Sequence, residues 1–230
     1  MSPQNLPLRI QEVRERIARA AAAAGHSAQS VTLLAVGKAQ PLPLLTAAAD
    51  CGVSDFGESY LQEALDKIAA LRERALTWHF IGRVQANKTR PIAQHFAWVH
   101  AVDRLKVAER LAAQRPFHAP PLNVCLQVNV AGELSKGGVA PAELPALAAA
   151  VARLPRLALR GLMCIPPEET EPARQRAWFT RLRGLRDDLN AAGYSLDTLS
   201  MGMSADFEAA IAEGATIVRL GTVLFGARPQ

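Results

Sequence analysis

Short, mostly apolar runs alternate along the chain with longer stretches whose apolar residues recur every three or four positions. The first pattern marks strands buried on both faces, the second amphipathic helices. Residues 6–24 carry Ile10, Val13 and Ile17 at helical spacing and stop at Gly25. The run Val31-Thr32-Leu33-Leu34-Ala35-Val36-Gly37-Lys38 reads as a first strand, halted by Pro41. Residues 41–50 read as a helix closed by Gly52, and 53–57 as a second strand. Residues 58–74 form a long amphipathic pattern with Leu61, Leu65, Ile68 and Leu71 on one face. A strand over 76–82, a helix over 87–96 and a strand over 98–102 follow. Residues 104–114 read as a helix, 115–121 as turns and 122–130 as a fifth strand. Helix 141–154, strand 157–165, helix 171–192, strand 198–201, helix 206–213 and strand 216–220 complete the pattern.

Eight strands alternating with helices through short loops predict an α/β fold, a single (β/α)8 TIM-type barrel with an extra N-terminal helix. One domain is expected over residues 1–230. A doubly wound sheet is the alternative, but eight near-even units favour closure.

Composition narrows the function classes. Half of the residues are apolar, enough for a sizeable core. No apolar run is long enough to span a membrane, and residues 1–8 lack the pattern of a signal peptide. Cys51, Cys125 and Cys164 lie far apart, which suits neither a disulfide framework nor a zinc site. A reduced, cytoplasmic protein is expected. The net charge of +5 admits nucleic acid as a partner. However, Arg174, Arg176, Arg181, Arg183 and Arg186 are mixed with Asp187 and Asp188 on a helix, with no base-stacking aromatics among them. A solvated helical face is the expected reading.

In such a barrel, chemistry collects where each strand meets its following loop. Lys38 ends the first strand, and a lysine on a core strand either snorkels to water or is held to condense with an aldehyde. Ser59 follows the second strand. His79 lies near the end of the third, with Asn87 beyond it; the bland reading of His79 is a hydrogen-bonded core histidine. Ser200-Met201-Gly202-Met203-Ser204 follows the seventh strand, and Arg219-Leu220-Gly221-Thr222 closes the eighth. Loops after the last two strands often hold phosphate, with Gly202 and Gly221 allowing close approach and Ser204 and Thr222 offering hydroxyls. The alternative is that Ser204 only caps a helix and Gly221 only turns the chain. A phosphorylated aldehyde satisfies lysine and cradle together, and pyridoxal 5′-phosphate is the obvious candidate. Arg219 would donate to its ring nitrogen, or else sit in an ion pair with Glu58 or Asp103. The candidate cofactor-binding set is Lys38, Ser59, His79, Asn87, Ser200, Met203, Ser204, Arg219, Gly221 and Thr222. No catalytic residue and no metal ligand is expected.

Seven segments carry a resemblance to the pyridoxal phosphate homeostasis protein family (the YggS/PROSC proteins). They are residues 34–38, 56–60, 78–82, 85–88, 160–163, 199–204 and 218–222, in order along nearly the whole chain. Ser135-Lys136 and Gly138 lie in another stretch that looks like the family. The resemblance implies a barrel similar to the cofactor domain of alanine racemase, with pyridoxal phosphate as a Schiff base on Lys38. It also implies that Ser204, Gly221 and Thr222 hold the phosphate and that Arg219 meets the ring nitrogen. Gly37, Ala39, Gln40, Ser59 and Arg83 depart from the family's usual Ser, Thr, Lys, Asn and Pro.

The expected function is therefore intracellular vitamin B6 homeostasis, as a carrier or buffer of pyridoxal phosphate without firm catalytic activity. Expected partners are the cofactor and the apoenzymes that use it, with no nucleic acid or membrane, and the chain is expected to be a monomer. The alternative is a pyridoxal-phosphate-dependent amino-acid racemase, which needs proton donors on both faces of the cofactor; Tyr60 or His79 would have to supply the second. A further alternative is a phosphate-binding barrel enzyme without this cofactor. Lys136 is read as a mobile loop lysine or a second landing site for the aldehyde.

Overall fold

A computed structural model of the chain describes residues 5–133 and 137–226. Eight parallel strands close into a barrel in sequence order, and each of the first seven is followed by a helix that returns the chain to its base. The strands are β1 (Thr32–Val36), β2 (Asp55–Glu58), β3 (Thr77–Phe80), β4 (Trp98–Val102), β5 (Leu122–Gln127), β6 (Leu157–Met163), β7 (Thr198–Ser200) and β8 (Ile217–Leu220). The helices are α1 (Leu6–Ala23), α2 (Leu42–Asp50), α3 (Leu61–Ala70), α4 (Thr89–His95), α5 (Leu105–Gln114), α6 (Leu144–Ala152), α7 (Pro172–Ala191), α8 (Phe207–Ala212) and α9 (Thr222–Phe225). Pairing of Leu33 and Leu34 in β1 with Val218 and Arg219 in β8 closes the ring.

The added helix α1 is held by the stripe the sequence shows. Leu6, Ile10, Val13, Ile17 and Ala21 are buried, at spacings of three or four that put them on one face. That face packs on α2, α8 and α9. The main core lies between the sheet and the helices. A smaller cluster of Ala101, Cys125 and Met163, with Trp98 against it, stands apart from that core.

Three of the differences from the sequence reading have a clear physical cause. Glu58 ends β2 rather than opening a helix, because its carboxyl is buried and paired; α3 runs from Leu61 only to Ala70. Strand β5 stops at Gln127, because the returning segment at Val139 takes its edge: Val139 N–H donates to the Gln127 carbonyl, and Val128 bridges Val139. The four-residue helix α9 was too short to leave a periodic signal, yet it buries Leu224 and Phe225.

Close strand packing makes one glycine indispensable. A Cβ added at Gly161 in β6 would lie 1.8 Å from the Thr198 carbonyl oxygen of β7. Backbone cannot yield there as a flexible side chain would. By contrast, Gly184 is exposed in α7 with nothing near its absent Cβ. Gly161→Ala is expected to lower unfolding free energy by at least about 3 kcal/mol, the upper range for overpacking. Gly184→Ala is expected to raise it by about 1 kcal/mol, since alanine is the better helix former. Urea denaturation of both variants checks the pair.

Candidate functional site

The C-terminal mouth of the barrel holds a cavity of about 260 Å3. Lys38 and Gln40 line it from the turn after β1, and Ser59 from the turn after β2. Met203, Ser204 and Ala205 line it from the loop after β7, with Arg219, Gly221 and Thr222 from β8 and its loop. Seven of the sequence candidates therefore meet in one place: Lys38, Ser59, Met203, Ser204, Arg219, Gly221 and Thr222. Three do not line the cavity. Ser200 is buried and hydrogen-bonded to Arg219. His79 is buried within the barrel, on Asp55 and His100. Asn87 is exposed in a short 3-10 turn, residues 86–88, before α4. Lys136 lies outside the described residues.

The lysine turn is tightly built. The strand proper ends at Val36; Gly37 N–H still donates to the Gly57 carbonyl of β2, and Gln40 N–H donates back to the Gly37 carbonyl. Ala39 adopts φ 58°, the left-handed region that costs a non-glycine residue about 1–2 kcal/mol. Side chains from β2 and α3 hold this bend. Lys67 Nζ donates to the Gly37 carbonyl at 2.7 Å and pairs with Glu58 at 2.9 Å and with Glu63. Glu63 in turn accepts from Ala39 N–H at 2.8 Å. A lysine on a neighbouring helix thus clamps the turn that carries Lys38. A Cβ at position 37 would lie 2.6 Å from Glu58 Oε1, so a larger residue there would require the Glu58 carboxyl to shift. Sequence reasoning missed this clamp; its one signal was Lys67 sitting on the apolar side of α3.

On the opposite side, Ser204 ties two loops together by accepting from Val223 N–H at 3.2 Å. It is not the helix cap that the sequence also allowed; Asp206 stands at that position, and its carboxylate accepts from Met203 N–H at 2.6 Å. Gly202 has a role other than ligand approach. Its φ of 93° and its contact with α8, where a Cβ would lie 2.7 Å from Ala210 Cβ, require glycine for packing.

Arg219 is only 5% exposed. Its Nη1 donates to Ser200 Oγ at 2.9 Å and its Nη2 to the Cys164 carbonyl at 2.8 Å. The carboxylates that the sequence offered it are engaged elsewhere: Glu58 with Lys67, and Asp103 with Arg104. Burial pulls the Arg219 pKa below the ordinary value, with the Cys164 thiol and Asp206 opposing. A guanidinium keeps its proton even so.

Glu58 is the most perturbed carboxyl near the turn. Its Oε2 is buried without a hydrogen-bond partner, and burial pushes its pKa up to about 7 against the pull of Lys67. The folded state then holds a proton that the unfolded chain releases near 4.5. The stabilising contribution is full below pH 4.5 and is lost as pH rises through 7. In unfolding titrations, the stability of wild type relative to Glu58→Gln is expected to fall on the order of 2 kcal/mol between pH 4.5 and 8. A pH-independent difference contradicts this assignment.

The family model described as "Alanine racemase, N-terminal domain" matches residues 8–229. A pyridoxal phosphate homeostasis protein of Pseudomonas aeruginosa is 62% identical over 219 residues, covering 95% of this chain and 94% of that one. One from Escherichia coli is 50% identical over 222 residues, covering 95% of each. PipY of Synechococcus elongatus, solved with pyridoxal phosphate bound, superposes with a TM-score of 0.81 at 38% identity, covering 93% of this chain and all of that one. An alanine racemase from Clostridium difficile, at 14% identity, shares the fold with a TM-score of 0.73; this chain covers 58% of it. The chain belongs to the alanine racemase N-terminal domain family and, within it, to the pyridoxal phosphate homeostasis proteins.

Proposed function

We propose that the mouth cavity binds pyridoxal 5′-phosphate as a Schiff base on Lys38 and that the chain carries or buffers this cofactor in the cytoplasm. The carrying observation is the convergence of Lys38, Arg219 and the Ser204–Gly221–Thr222 loops on one small cavity. The cofactor bound by the 38%-identical relative supports the same ligand here. When bound, the cofactor supplies an aldehyde that condenses reversibly with a primary amine.

The residues fit that group. Lys38 supplies the amine from a turn that is clamped rather than loose. Ser204 and Thr222 bring hydroxyls, and Gly221 brings backbone without a side chain, to the end of the cavity that takes the phosphate. Arg219 presents a permanent donor and no acceptor, so it leaves a ring nitrogen unprotonated. That weakens the ring as an electron sink, which suits holding a cofactor better than using it. The two side chains the racemase reading needs do not line the cavity: Tyr60 is 57% exposed and His79 is enclosed in the barrel. Release to a competing amine, and so to apoenzymes that need the cofactor, is the function this site serves as a monomer. The absence of any helix long and apolar enough to cross a membrane, among the described residues, is consistent with the cytoplasmic placement.

Adding pyridoxal phosphate to the purified protein is expected to give a yellow adduct that borohydride fixes to Lys38, and Lys38→Ala is expected to give none. An adduct of equal yield on the variant contradicts the assignment. The double variant Ser204→Ala, Thr222→Ala is expected to bind pyridoxal phosphate about 10–100-fold more weakly, since bonds to charged groups contribute about 1.5–3 kcal/mol. Pyridoxal, which lacks the phosphate, is expected to bind wild type and variant alike; equal losses for both ligands contradict the cradle.

A further inference from the structure

Five polar side chains that the cavity alone does not explain form one continuous chain through the barrel. Arg219 of β8 donates to Ser200 of β7 at 2.9 Å. Ser200 Oγ lies 2.7 Å from His100 Nδ1, on β4. His100 Nε2 lies 2.9 Å from His79 Nδ1, on β3. His79 Nε2 lies 3.0 Å from Asp55 Oδ1, at the first residue of β2. Strands β4 and β7 are not neighbours in the ring, so the His100–Ser200 bond crosses the interior. The chain thus begins under the mouth cavity and ends at the opposite rim, where Asp55 borders a separate cleft with Ser54 and Thr32.

The protons in this chain can be assigned by elimination. An arginine only donates, so Ser200 Oγ accepts from Arg219. An ionised Asp55 only accepts, and Ser54 Oγ already donates to its other oxygen at 2.6 Å. His79 therefore carries its proton on Nε2. A second proton on His79 would set N–H against N–H at His100, or force His100 to reverse. With His79 Nδ1 an acceptor, His100 donates from Nε2 and accepts on Nδ1, and the Ser200 hydroxyl donates to it. Each of the four contacts then has one donor and one acceptor. In the opposite direction, Ser200 would accept from both sides, with neither contact left for its own proton, and Asp55 would have to donate. Burial lowers the pKa of both histidines, which agrees with neutral rings. Trp98 stacks on His79 with ring centroids 5.5 Å apart and holds that ring's plane.

We infer that Ser200, His100, His79 and Asp55 are positioning residues for Arg219: a one-way relay of hydrogen bonds that runs from the guanidinium to the far rim and locks it in one pose beneath the cavity. Ser200 and the Cys164 carbonyl take one N–H from each terminal nitrogen. The remaining donors are then offered to the cavity in a fixed fan. Only what Arg219 faces rests on the proposed cofactor; the relay itself is a property of the chain.

The test uses ligand-free, full-length protein at pH 7.5, so a failure of cofactor binding leaves it undisturbed. Long-range 1H–15N correlation of histidine-labelled protein is expected to show His79 and His100 both neutral, protonated at Nε2 and bare at Nδ1. In arginine-labelled protein, Arg219 is expected to show separate signals for its two terminal nitrogens. In Ser200→Ala and in His100→Phe, rotation about its Cζ–Nη bonds is expected to be at least about tenfold faster, so that these signals merge. Arg16 of α1, held at Nε and Nη2 by Glu208, serves as the unaffected reference. A cationic ring or an Nδ1–H tautomer at either histidine overturns the relay. Unchanged Arg219 rotation in a folded variant overturns its positioning role. If neither variant folds, the tautomers in wild type still decide.

Discussion

A guanidinium buried at the mouth of a barrel constrains everything around it. An ion without partners in that setting would cost several kcal/mol. The fold offsets this with fixed acceptors rather than with a neighbouring carboxylate: a backbone carbonyl after β6 and a serine on β7. The serine in turn needs an acceptor, which is a histidine across the barrel, and the sequence of needs ends only at Asp55 near solvent. The negative end of the chain lies at one rim and the positive end at the other. The barrel interior, usually filled by branched apolar side chains, is given over in part to this line.

The lysine turn follows the same logic on a smaller scale. A residue in a left-handed conformation and a strand end that must bend sharply are held by an ion-pair cluster from β2 and α3. Lys67 and Glu58 are buried, so losing the ammonium would leave the Glu58 carboxyl without its cation, and the turn inherits that constraint. A clamped lysine turn, a hydrogen-bonded arginine and two loops tied by Ser204 enclose a space of small-molecule size.

Much of this was legible in the sequence, for physical reasons that can be named. Short apolar runs located every strand, and period-3.6 patterns eight of the nine helices, among the described residues; α9 escaped because four residues make no period. Lys38, Ser204, Arg219, Gly221 and Thr222 were found because strand ends in a barrel converge, so chain position alone brought them together. The relay and the clamp were not legible. His79 at the third position of β3 and His100 at the third position of β4 look like ordinary strand residues until barrel closure sets them side by side. Glu58 and Lys67 are nine residues apart, on a strand and a helix, and the charge pattern alone says nothing of their burial. Asn87, which its sequence motif suggested for the site, lies exposed on the short turn at 86–88 and is not among the residues lining the cavity.

The most direct test of the account is a crystal structure of the protein soaked with pyridoxal phosphate. Continuous density from Lys38 Nζ to the cofactor is expected, with phosphate between Ser204, Gly221 and Thr222, and the Arg219 guanidinium against the ring nitrogen with Ser200 still bonded to it. Cofactor attached to another lysine, or a phosphate placed away from the β7 and β8 loops, would contradict it.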